Sequence, residues 1–254
     1  MSNKYRWDLI IYLIEEVNPK NNKNALNQVK ELYIDSFPPE ELIPWTDILD
    51  ALECYNITKL KDTSLLYTLL GIYNKSDTSK LLGFIFIIYP IKENFAFFNY
   101  LAIAPQYRNL GIGSILWKEA KDYLQNLSLK LKLKSLIGVF YEIERLDLPQ
   151  YDNQKRSEII KRYKFYQRLN QKIVDLPYYL PPLQPEEEEL PLLLIFYPFK
   201  EVEELSKKLI INVYTFIYRQ VYGLKKRKFN KIKKKLEYDE WPEIINLNTL
   251  DTLI

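Results

Sequence analysis

Three consecutive runs of β-branched and aromatic residues, joined by short polar links, constrain the fold of this chain more than any other feature. The runs are Leu65 to Tyr73, Lys80 to Tyr89 and Phe95 to Ile103. Strands separated by links this short pair most simply as an antiparallel meander, because a parallel pair needs a crossover of a dozen or more residues. The segment therefore predicts the beginning of a mostly antiparallel sheet.

Helical periodicity surrounds these strands. The segment Gly111 to Leu127 carries a regular apolar stripe with a period of 3.6 residues, which predicts an amphipathic helix. We predict the other elements in this order: a helix from Ala25 to Phe37, a second from Thr46 to Leu52, a strand from Leu136 to Ile143, a helix from Ser157 to Leu169 with Ser157 as N-cap, strands Lys172 to Leu176 and Leu190 to Phe199, and a long helix from Glu201 to Tyr222. This order predicts an α+β protein with a C-terminal helical extension.

The composition excludes several kinds of chemistry. The 254 residues include no histidine and one cysteine, Cys54. The chain therefore has no Ser-His-Asp or Cys-His triad, no zinc site built on imidazole and no internal disulfide. We predict no metal and a reducing, cytoplasmic compartment. The apolar stretch Leu9 to Ile14 is too short for a membrane span, and acidic residues flank it, which is also wrong for a signal peptide.

A strand, a basic glycine-containing turn and a helix follow one another without interruption from Tyr100 to Leu116. Such a turn presents backbone N–H groups at a helix N-terminus, where the helix dipole favours an anion such as a pyrophosphate. Other phosphate-binding motifs fit less well, because a Walker A Gly-Lys-Ser/Thr is absent and Leu116 stands where a dinucleotide fingerprint has its third glycine. A glycine turn before an ordinary helix is the structural alternative.

The residues of this turn resemble a known family motif. Arg108-Asn109-Leu110-Gly111-Ile112-Gly113 resembles the Gln/Arg-x-x-Gly-x-Gly/Ala motif of the GCN5-related N-acetyltransferases, the GNAT superfamily. Phe165-Tyr166 resembles the Phe-Tyr-x-x-x-Gly-Phe signature of the same family, but Asn170-Gln171 replaces its Gly-Phe. Asparagine tolerates the left-handed conformation that the glycine supplies. The resemblance extends over about residues 25 to 200.

The resemblance implies a fold and a donor. The fold would be α+β, a mixed and mostly antiparallel sheet whose central strand pair splays apart, flanked by helices. Residues 1–200 would form the acyltransferase domain, and residues 201–254 an amphipathic helix and basic tail packed on it or extending it. The donor would be acetyl-coenzyme A or a longer acyl-coenzyme A. The residues implied to bind it are Leu101, Ala102 and Ile103 for the pantetheine arm, and Arg108, Asn109, Leu110, Gly111, Ile112, Gly113 and Ser114 for the pyrophosphate.

The implied reaction is direct attack of a primary amine on the thioester, which needs a base, an oxyanion site and an acid. Tyr166 matches the family's tyrosine acid, although a core tyrosine is the alternative. Glu142 and Glu144 are our candidates for the base, because residues two apart on a strand share a face and a carboxylate pair can raise one pKa. Their alternative role is a solvated strand edge with Arg145 as partner.

The acceptor stays open. We predict an N-acyltransferase that acts on a primary amine of a small molecule or peptide. One alternative is a fatty-acyltransferase that modifies a lysine- or ornithine-type amine of a peptide, and another is a non-catalytic acyl-coenzyme A-binding module. Aromatic residues in Phe95 to Tyr100 and the apolar loop Tyr178 to Leu183 would line an acyl channel or simply pack in the core.

A basic run lies near the C-terminus, with eight Lys or Arg residues and no acid between Lys225 and Lys235. An acidic peptide, a nucleic acid and anionic lipid are the possible partners. We favour a solvated helix end and tail, and do not expect nucleic acid, because Phe229 is the single aromatic residue in the run. The oligomeric state is not predicted.

Overall fold

The computed structural model describes residues 12–20, 22–54, 65–183 and 188–253. The chain forms two compact units. The first comprises the described parts of residues 1–91 and 98–133, and the second comprises residues 92–97 and the described parts of 134–254. We treat each unit in turn.

The first unit is a sheet with helices against it. Its elements are β1 (Tyr12–Glu16), α1 (Lys23–Ser36), α2 (Trp45–Cys54), β2 (Leu65–Asn74), β3 (Asp77–Pro90), the larger part of β4 (Phe95–Ile103) and α3 (Ile112–Lys130). The strand order is β1-β2-β3-β4, with β1 antiparallel to β2 and β2 antiparallel to β3. Helices α1 and α3 contact β3, and α2 contacts β2.

The predicted strands and the amphipathic helix of this unit are confirmed. Strand β4 has the predicted bounds, and β2 and β3 extend the predicted runs by a few residues. Helix α3 buries Leu116, Ala120 and Leu124, which belong to the predicted apolar stripe. Burial of this stripe against the sheet is what fixes the helix, since its isolated propensity would be marginal.

The second unit contains the rest of the sheet. Its elements are the first three residues of β4, then β5 (Gly138–Glu144), α4 (Asn153–Gln167), β6 (Lys172–Val174), β7 (Tyr178–Leu180), β8 (Leu190–Pro198), β9 (Glu204–Ser206), α5 (Lys207–Phe216), α6 (Lys226–Lys235) and β10 (Ile244–Thr249). The strand order is β4-β5-β8-β6-β10-β9, and β7 also pairs with β8. Strand β5 is antiparallel to β8 over seven residue pairs.

Strands β4 and β5 run parallel, and their ladder has three residue pairs, from Phe95 with Gly138 to Phe97 with Phe140. Beyond Phe97, β4 continues for six residues outside this ladder. The short ladder fits the splayed central pair that the family resemblance implied. The fold is the predicted GNAT-type α+β fold, a mixed and mostly antiparallel sheet flanked by helices.

Two helix predictions in this unit were wrong in their limits. Helix α4 begins four residues before Ser157, and its N-cap is Asp152, whose side chain accepts a hydrogen bond from the Lys155 amide at 2.7 Å. The predicted helix from Glu201 to Tyr222 is instead strand β9, helix α5 and a π-helical turn, Ile217–Val221. Ser206 caps α5 at the amide of Leu209, which starts the helix later than the apolar pattern suggested.

Beyond the predicted basic tail, the C-terminal residues contain a strand that the sequence did not predict. Residues Ile244 to Thr249 form β10, which pairs antiparallel with both β6 and β9. The side chain of Phe216 in α5 contacts the rings of Phe95 and Phe97 at centroid distances of 5.6 and 6.2 Å. The C-terminal residues therefore complete the sheet and core of the second unit.

Within the described ranges, no helix has both the length and the apolarity that crossing a bilayer requires. In the same part of the chain, no group of three or more metal-ligating side chains is positioned to hold an ion. The side chain of Cys54 lies outside the described residues. The division into residues 1–200 and 201–254 stays a prediction.

Candidate active site

The turn between β4 and α3 has two residues in the left-handed region of backbone conformation. A 3-10 turn, Pro105–Tyr107, follows the strand. Asn109 then has a φ of 64°, and Gly111, the N-cap of α3, has a φ of 79°. These conformations turn the chain sharply so that the helix begins within five residues of Tyr107. The motif thus forms a tight strand–turn–helix connection.

The backbone amides of this turn are available at the helix N-terminus. The amides of Ser114 and Ile115 both donate to the carbonyl of Gly111, at 3.1 and 3.2 Å. Amides that precede the first helical hydrogen bonds have no intrahelical acceptor. The first turn of α3 contains no acidic residue that would compete for them, and Asn109, Leu110 and Gly111 are exposed. The turn is built to accept an anion.

Arg108 braces the turn. Its Nε donates to the carbonyl of Ile103, the last residue of β4, at 3.0 Å. The sequence left open whether Arg108 braces the loop or adds charge for a ligand, and this contact supports the first role. Its side chain is exposed, so its positive charge also adds to that of the helix N-terminus.

The backbone conformation of Gly111 explains why glycine stands at this position. A Cβ built on Gly111 meets no atom within 4 Å, so protein crowding does not require glycine there. The left-handed φ does, because an L side chain is strained in that region.

Glu142 lies in β5 and accepts two hydrogen bonds from tyrosines. The hydroxyl of Tyr178 donates to Oε1, and the hydroxyl of Tyr222 donates to Oε2. Burial raises the pKa of the Glu142 carboxyl from 4.5 to about 7, although the two hydrogen bonds oppose this rise. The predicted rise in pKa toward neutrality agrees with this value, but its cause is burial and not the neighbouring Glu144.

Glu144 has separate surroundings. Its carboxylate pairs with Arg162 and with Lys155, the latter at 3.2 Å, and both belong to α4. Arg145, which we considered as a partner of these carboxylates, instead forms an ion pair with Asp147 at 2.6 Å. Among the described residues, the two glutamates share no hydrogen-bond partner, and cations pair with Glu144 but not with Glu142.

Tyr166 lies near the end of α4, against β5. Its ring contacts that of Tyr141 with centroids 5.0 Å apart, and the residue is half-buried. Burial raises the pKa of the Tyr166 phenol well above its usual range, so the hydroxyl stays protonated at neutral pH. A protonated phenol can donate a proton, which the predicted role of acid requires.

The end of α4 supports the predicted turn. Asn170 has a φ of 53°, in the left-handed region that the family's glycine would occupy. Gln171, which replaces the family's phenylalanine, is 2% exposed, and its amide group has no hydrogen-bond partner among the described residues. The backbone turn survives the replacement, while the packing after it departs from the family pattern.

The segment from Tyr178 to Leu183 is not the free apolar loop that we expected. Residues Tyr178–Leu180 form β7, which pairs with β8. The ring of Tyr178 stacks on that of Tyr218 at 5.7 Å, so this segment packs in the core of its unit. The aromatic rings of Phe95 and Phe97 are buried against Phe216 in the same way. Core packing accounts for these residues without an acyl channel.

Sequence reasoning missed the partners of Glu142. Tyr222 is 80 residues away along the chain, and Tyr178 is 36 residues away. Among 21 tyrosines nothing in the local pattern distinguishes these two. The fold of the C-terminal residues brings them together.

Comparison with known proteins agrees with this geometry. Residues 26–139 match the model of the acetyltransferase (GNAT) family, and this range includes the whole turn from Arg108 to Ser114. Residues 26–139 therefore resemble a domain of the GNAT acetyltransferase family. A GNAT-family protein from Bacteroides thetaiotaomicron has a similar structure, with 22% identity, a TM-score of 0.57, and coverage of 84% of this chain and 99% of that one. At this identity the likeness establishes the fold.

Two further GNAT structures are more distant. An Arabidopsis thaliana NAA60 in complex with acetyl-CoA has 13% identity and a TM-score of 0.48, over 74% of this chain and 99% of that one. An aminoglycoside 6'-N-acetyltransferase complexed with coenzyme A has 20% identity and a TM-score of 0.47, over 75% of this chain and 98% of that one. No curated protein sequence matches the chain.

Proposed function

We propose that this GNAT protein is an acyl-coenzyme A-dependent N-acyltransferase that moves an acetyl or longer acyl group to a primary amine. The observation that carries the proposal is the turn from Arg108 to Ser114, where left-handed Asn109 and Gly111 present backbone amides at the start of α3. This turn lies inside the residues that match the family.

The turn would hold the donor by its pyrophosphate. The backbone amides from Asn109 to Gly113 would donate to the phosphate oxygens, and the positive end of the helix dipole would favour their charge. The amide of Ser114 already donates to the carbonyl of Gly111. Backbone groups of Leu101, Ala102 and Ile103 would pair with the pantetheine arm. The carbonyl of Ile103 already accepts a hydrogen bond from Arg108. This bond would hold β4 and the turn together when the donor binds.

The reaction would proceed by direct attack. The amine nitrogen forms a bond to the thioester carbonyl carbon, and the carbon–sulfur bond breaks when the tetrahedral intermediate collapses. Glu142 is the better of the two candidates for the base, because desolvation raises its pKa and it has no cationic partner among the described residues, whereas Arg162 and Lys155 pair with Glu144. Tyr166 would protonate the leaving thiolate. Neither step needs histidine or an acyl-cysteine.

The acceptor amine and the acyl chain length distinguish the possible activities. The first experiment is mass spectrometry of acyl groups that co-purify with the protein, followed by measurement of thiol release from acetyl- and palmitoyl-coenzyme A with a panel of small amines and lysine peptides. Thiol release that depends on an amine supports the proposal. Transfer of only the long chain to a peptide amine would favour a fatty-acyltransferase.

Binding of acyl-coenzyme A without transfer to any amine would overturn the proposed activity in favour of a non-catalytic binding module. Failure to bind coenzyme A would remove the proposed role of the turn. A cytoplasmic location stays a prediction from the sequence.

Tyr166→Phe tests the proposed acid. We expect turnover to fall by about 10- to 100-fold while the affinity for coenzyme A changes little, because the phenylalanine keeps the ring packing on Tyr141 and loses only the proton. Steady-state kinetics and calorimetric titration of coenzyme A provide the two measurements. Unchanged turnover would remove Tyr166 from the mechanism.

A further inference from the structure

Helix α6 has an unusual concentration of positive charge. Seven of the ten residues in Lys226–Lys235 are Lys or Arg, and none is acidic. Together with the preceding Lys225, seven of the eight basic residues are exposed. One of the seven, Lys235, pairs with Glu189. We call the other six the basic face, and they are Lys225, Lys226, Arg227, Lys228, Lys231 and Lys234.

The opposite side of α6 anchors the helix to the second unit. Ile232 is 5% exposed, and Leu236, directly after the helix, is also buried. The half-buried ring of Phe229 contacts that of Tyr218, with centroids 6.3 Å apart. The helix is therefore an integral part of its unit, and its basic face points outward. The exposed charges agree with the solvated helix end that the sequence favoured, while the buried side of α6 shows that this run is not a free tail.

The basic face is without ion-pair partners among the described residues. The ion pair of α6 is made by Lys235 with Glu189, outside the face. Lys233 lies over the ring of Tyr238 at 6.0 Å, also outside the face. The six charges of the basic face thus remain available to a ligand.

This charge works against the stability of the helix. Lys225 is the N-cap and makes no side-chain capping hydrogen bond, and Lys226, Arg227 and Lys228 occupy the first turn, where the helix dipole disfavours cations. Arg227 and Lys231 are also a like-charge pair four residues apart, which costs about 0.2 to 0.5 kcal/mol. The stability of α6 therefore does not explain this concentration of positive charge.

The positive charge is also not a general property of the chain. The eight basic residues between Lys225 and Lys235 exceed the net charge of +3, so the remainder of the chain is net acidic. A local cationic surface on an otherwise acidic protein indicates a polyanionic partner.

The residue types favour one class of polyanion. Of the apolar residues of α6, Ile232 is buried and Phe229 is half-buried, and the helix has no exposed large apolar side chain to insert into a bilayer. Six cations along about 15 Å of helix match the closely spaced phosphates of a nucleic acid. One arginine among lysines, with no exposed aromatic residue, fits contacts to phosphates better than base reading or stacking. We propose that the basic face docks onto the phosphate backbone of a nucleic-acid duplex without sequence preference.

The test is binding of the full-length protein to a fluorescent 24-base-pair DNA duplex by anisotropy, between 50 and 200 mM salt. If all six cations contact phosphates, affinity should fall by about 10³-fold over this range, a log–log slope of about −5. The variant Lys226→Gln, Lys228→Gln, Lys231→Gln and Lys234→Gln should reduce that slope to about −2. Its thermal stability should be unchanged or higher, because like charges are removed.

A matched control variant removes the same number of positive charges from other exposed positions of the second unit. Lys161, Lys164, Lys200 and Lys208 are exposed lysines of the same unit, and their quadruple glutamine variant should bind the duplex within about twofold of the parent. The proposal is overturned if the parent fails to bind at 50 mM salt, or if both quadruple variants lose affinity equally. Tighter binding to phosphatidylserine vesicles or polyglutamate than to the duplex would also overturn it. None of these outcomes depends on acyl transfer.

Discussion

At the scale of single residues, Glu142 and Glu144 lie on the same strand but have different surroundings. Glu142 is half-buried in β5, and two tyrosine hydroxyls donate to it. Burial raises the pKa of its carboxyl to about 7, which is where a general base is effective near neutral pH. Its neighbour Glu144, with the same side chain on the same strand, is paired with two cations.

This difference predicts distinct pH–rate profiles. In the parent enzyme, kcat/KM should rise with pH and level off above about pH 7, as the Glu142 carboxyl loses its proton. Glu142→Gln should abolish this limb and lower kcat/KM by about 10²-fold or more. Glu144→Gln is the control and should keep the limb. The assignment fails if kcat/KM of Glu142→Gln still rises with pH up to about pH 7. The acceptor amine in this measurement should have a pKa outside that pH range.

The same raised pKa predicts how stability depends on pH. Because the folded state holds the Glu142 proton more tightly than the unfolded state, this group contributes most below about pH 4.5, and the contribution is lost as pH rises through 7. Glu142→Gln should therefore become more stable relative to the parent between pH 5 and pH 8, by at most about 3 kcal/mol. Urea unfolding at both pH values checks this, and a constant difference would contradict it.

At the scale of elements, the connection from β4 to α3 depends on two residues with positive φ. Asn109 tolerates this conformation. Gly111 has a φ of 79°, and an L-residue in its place would be strained. The direction of the turn's amides follows from these angles, so the element can bind an anion only while the left-handed conformation is kept.

Gly111→Ala should therefore weaken coenzyme A binding. The strain of about 1 to 2 kcal/mol would drive residue 111 out of the left-handed region, and affinity should fall by about 5- to 30-fold. Gly223 is a matched control, because it also has a positive φ, 61°, and open space for a Cβ. Gly223→Ala should lose similar stability but keep its affinity in calorimetric titration. If both variants lost the same affinity for coenzyme A, the loss would come from backbone strain in general and not from the turn at Gly111.

At the scale of the whole molecule, the C-terminal residues belong to the core of the second unit. Strand β10 lies between β6 and β9, and α5 buries Ile210, Val213 and Phe216. We expect a chain that ends at Lys200 to lose the near-ultraviolet circular dichroism of a packed unit. It would expose the rings of Phe95 and Phe97, which Phe216 covers in the full chain.

A point substitution tests the same claim without truncation. Phe216→Ala should lower the free energy of unfolding by about 3 to 5 kcal/mol. Ile244→Ala, at an exposed position, should lower it by less than about 1 kcal/mol. Denaturant unfolding followed by tyrosine fluorescence measures both. If residues 1–200 fold with native spectra, the extension is an appendage and the predicted division at residue 200 stands.

The sequence by itself determined the local parts of this protein. Continuous runs of β-branched and aromatic residues specified β2, β3 and β4, and an apolar stripe with a period of 3.6 residues specified α3, because both signals lie in neighbouring residues. The motif from Arg108 to Gly113 specified the turn, because the left-handed conformation that asparagine and glycine tolerate is a property of single positions.

Only the tertiary structure decided the surroundings of the candidate catalytic groups. Desolvation and hydrogen bonding depend on residues distant along the chain, so no local pattern could separate Glu142, held by Tyr178 and Tyr222, from Glu144 beside Arg162. The C-terminal strand was missed for a related reason. Its six residues gain their stability from pairing with β6 and β9, and such short strands carry little signal without their partners.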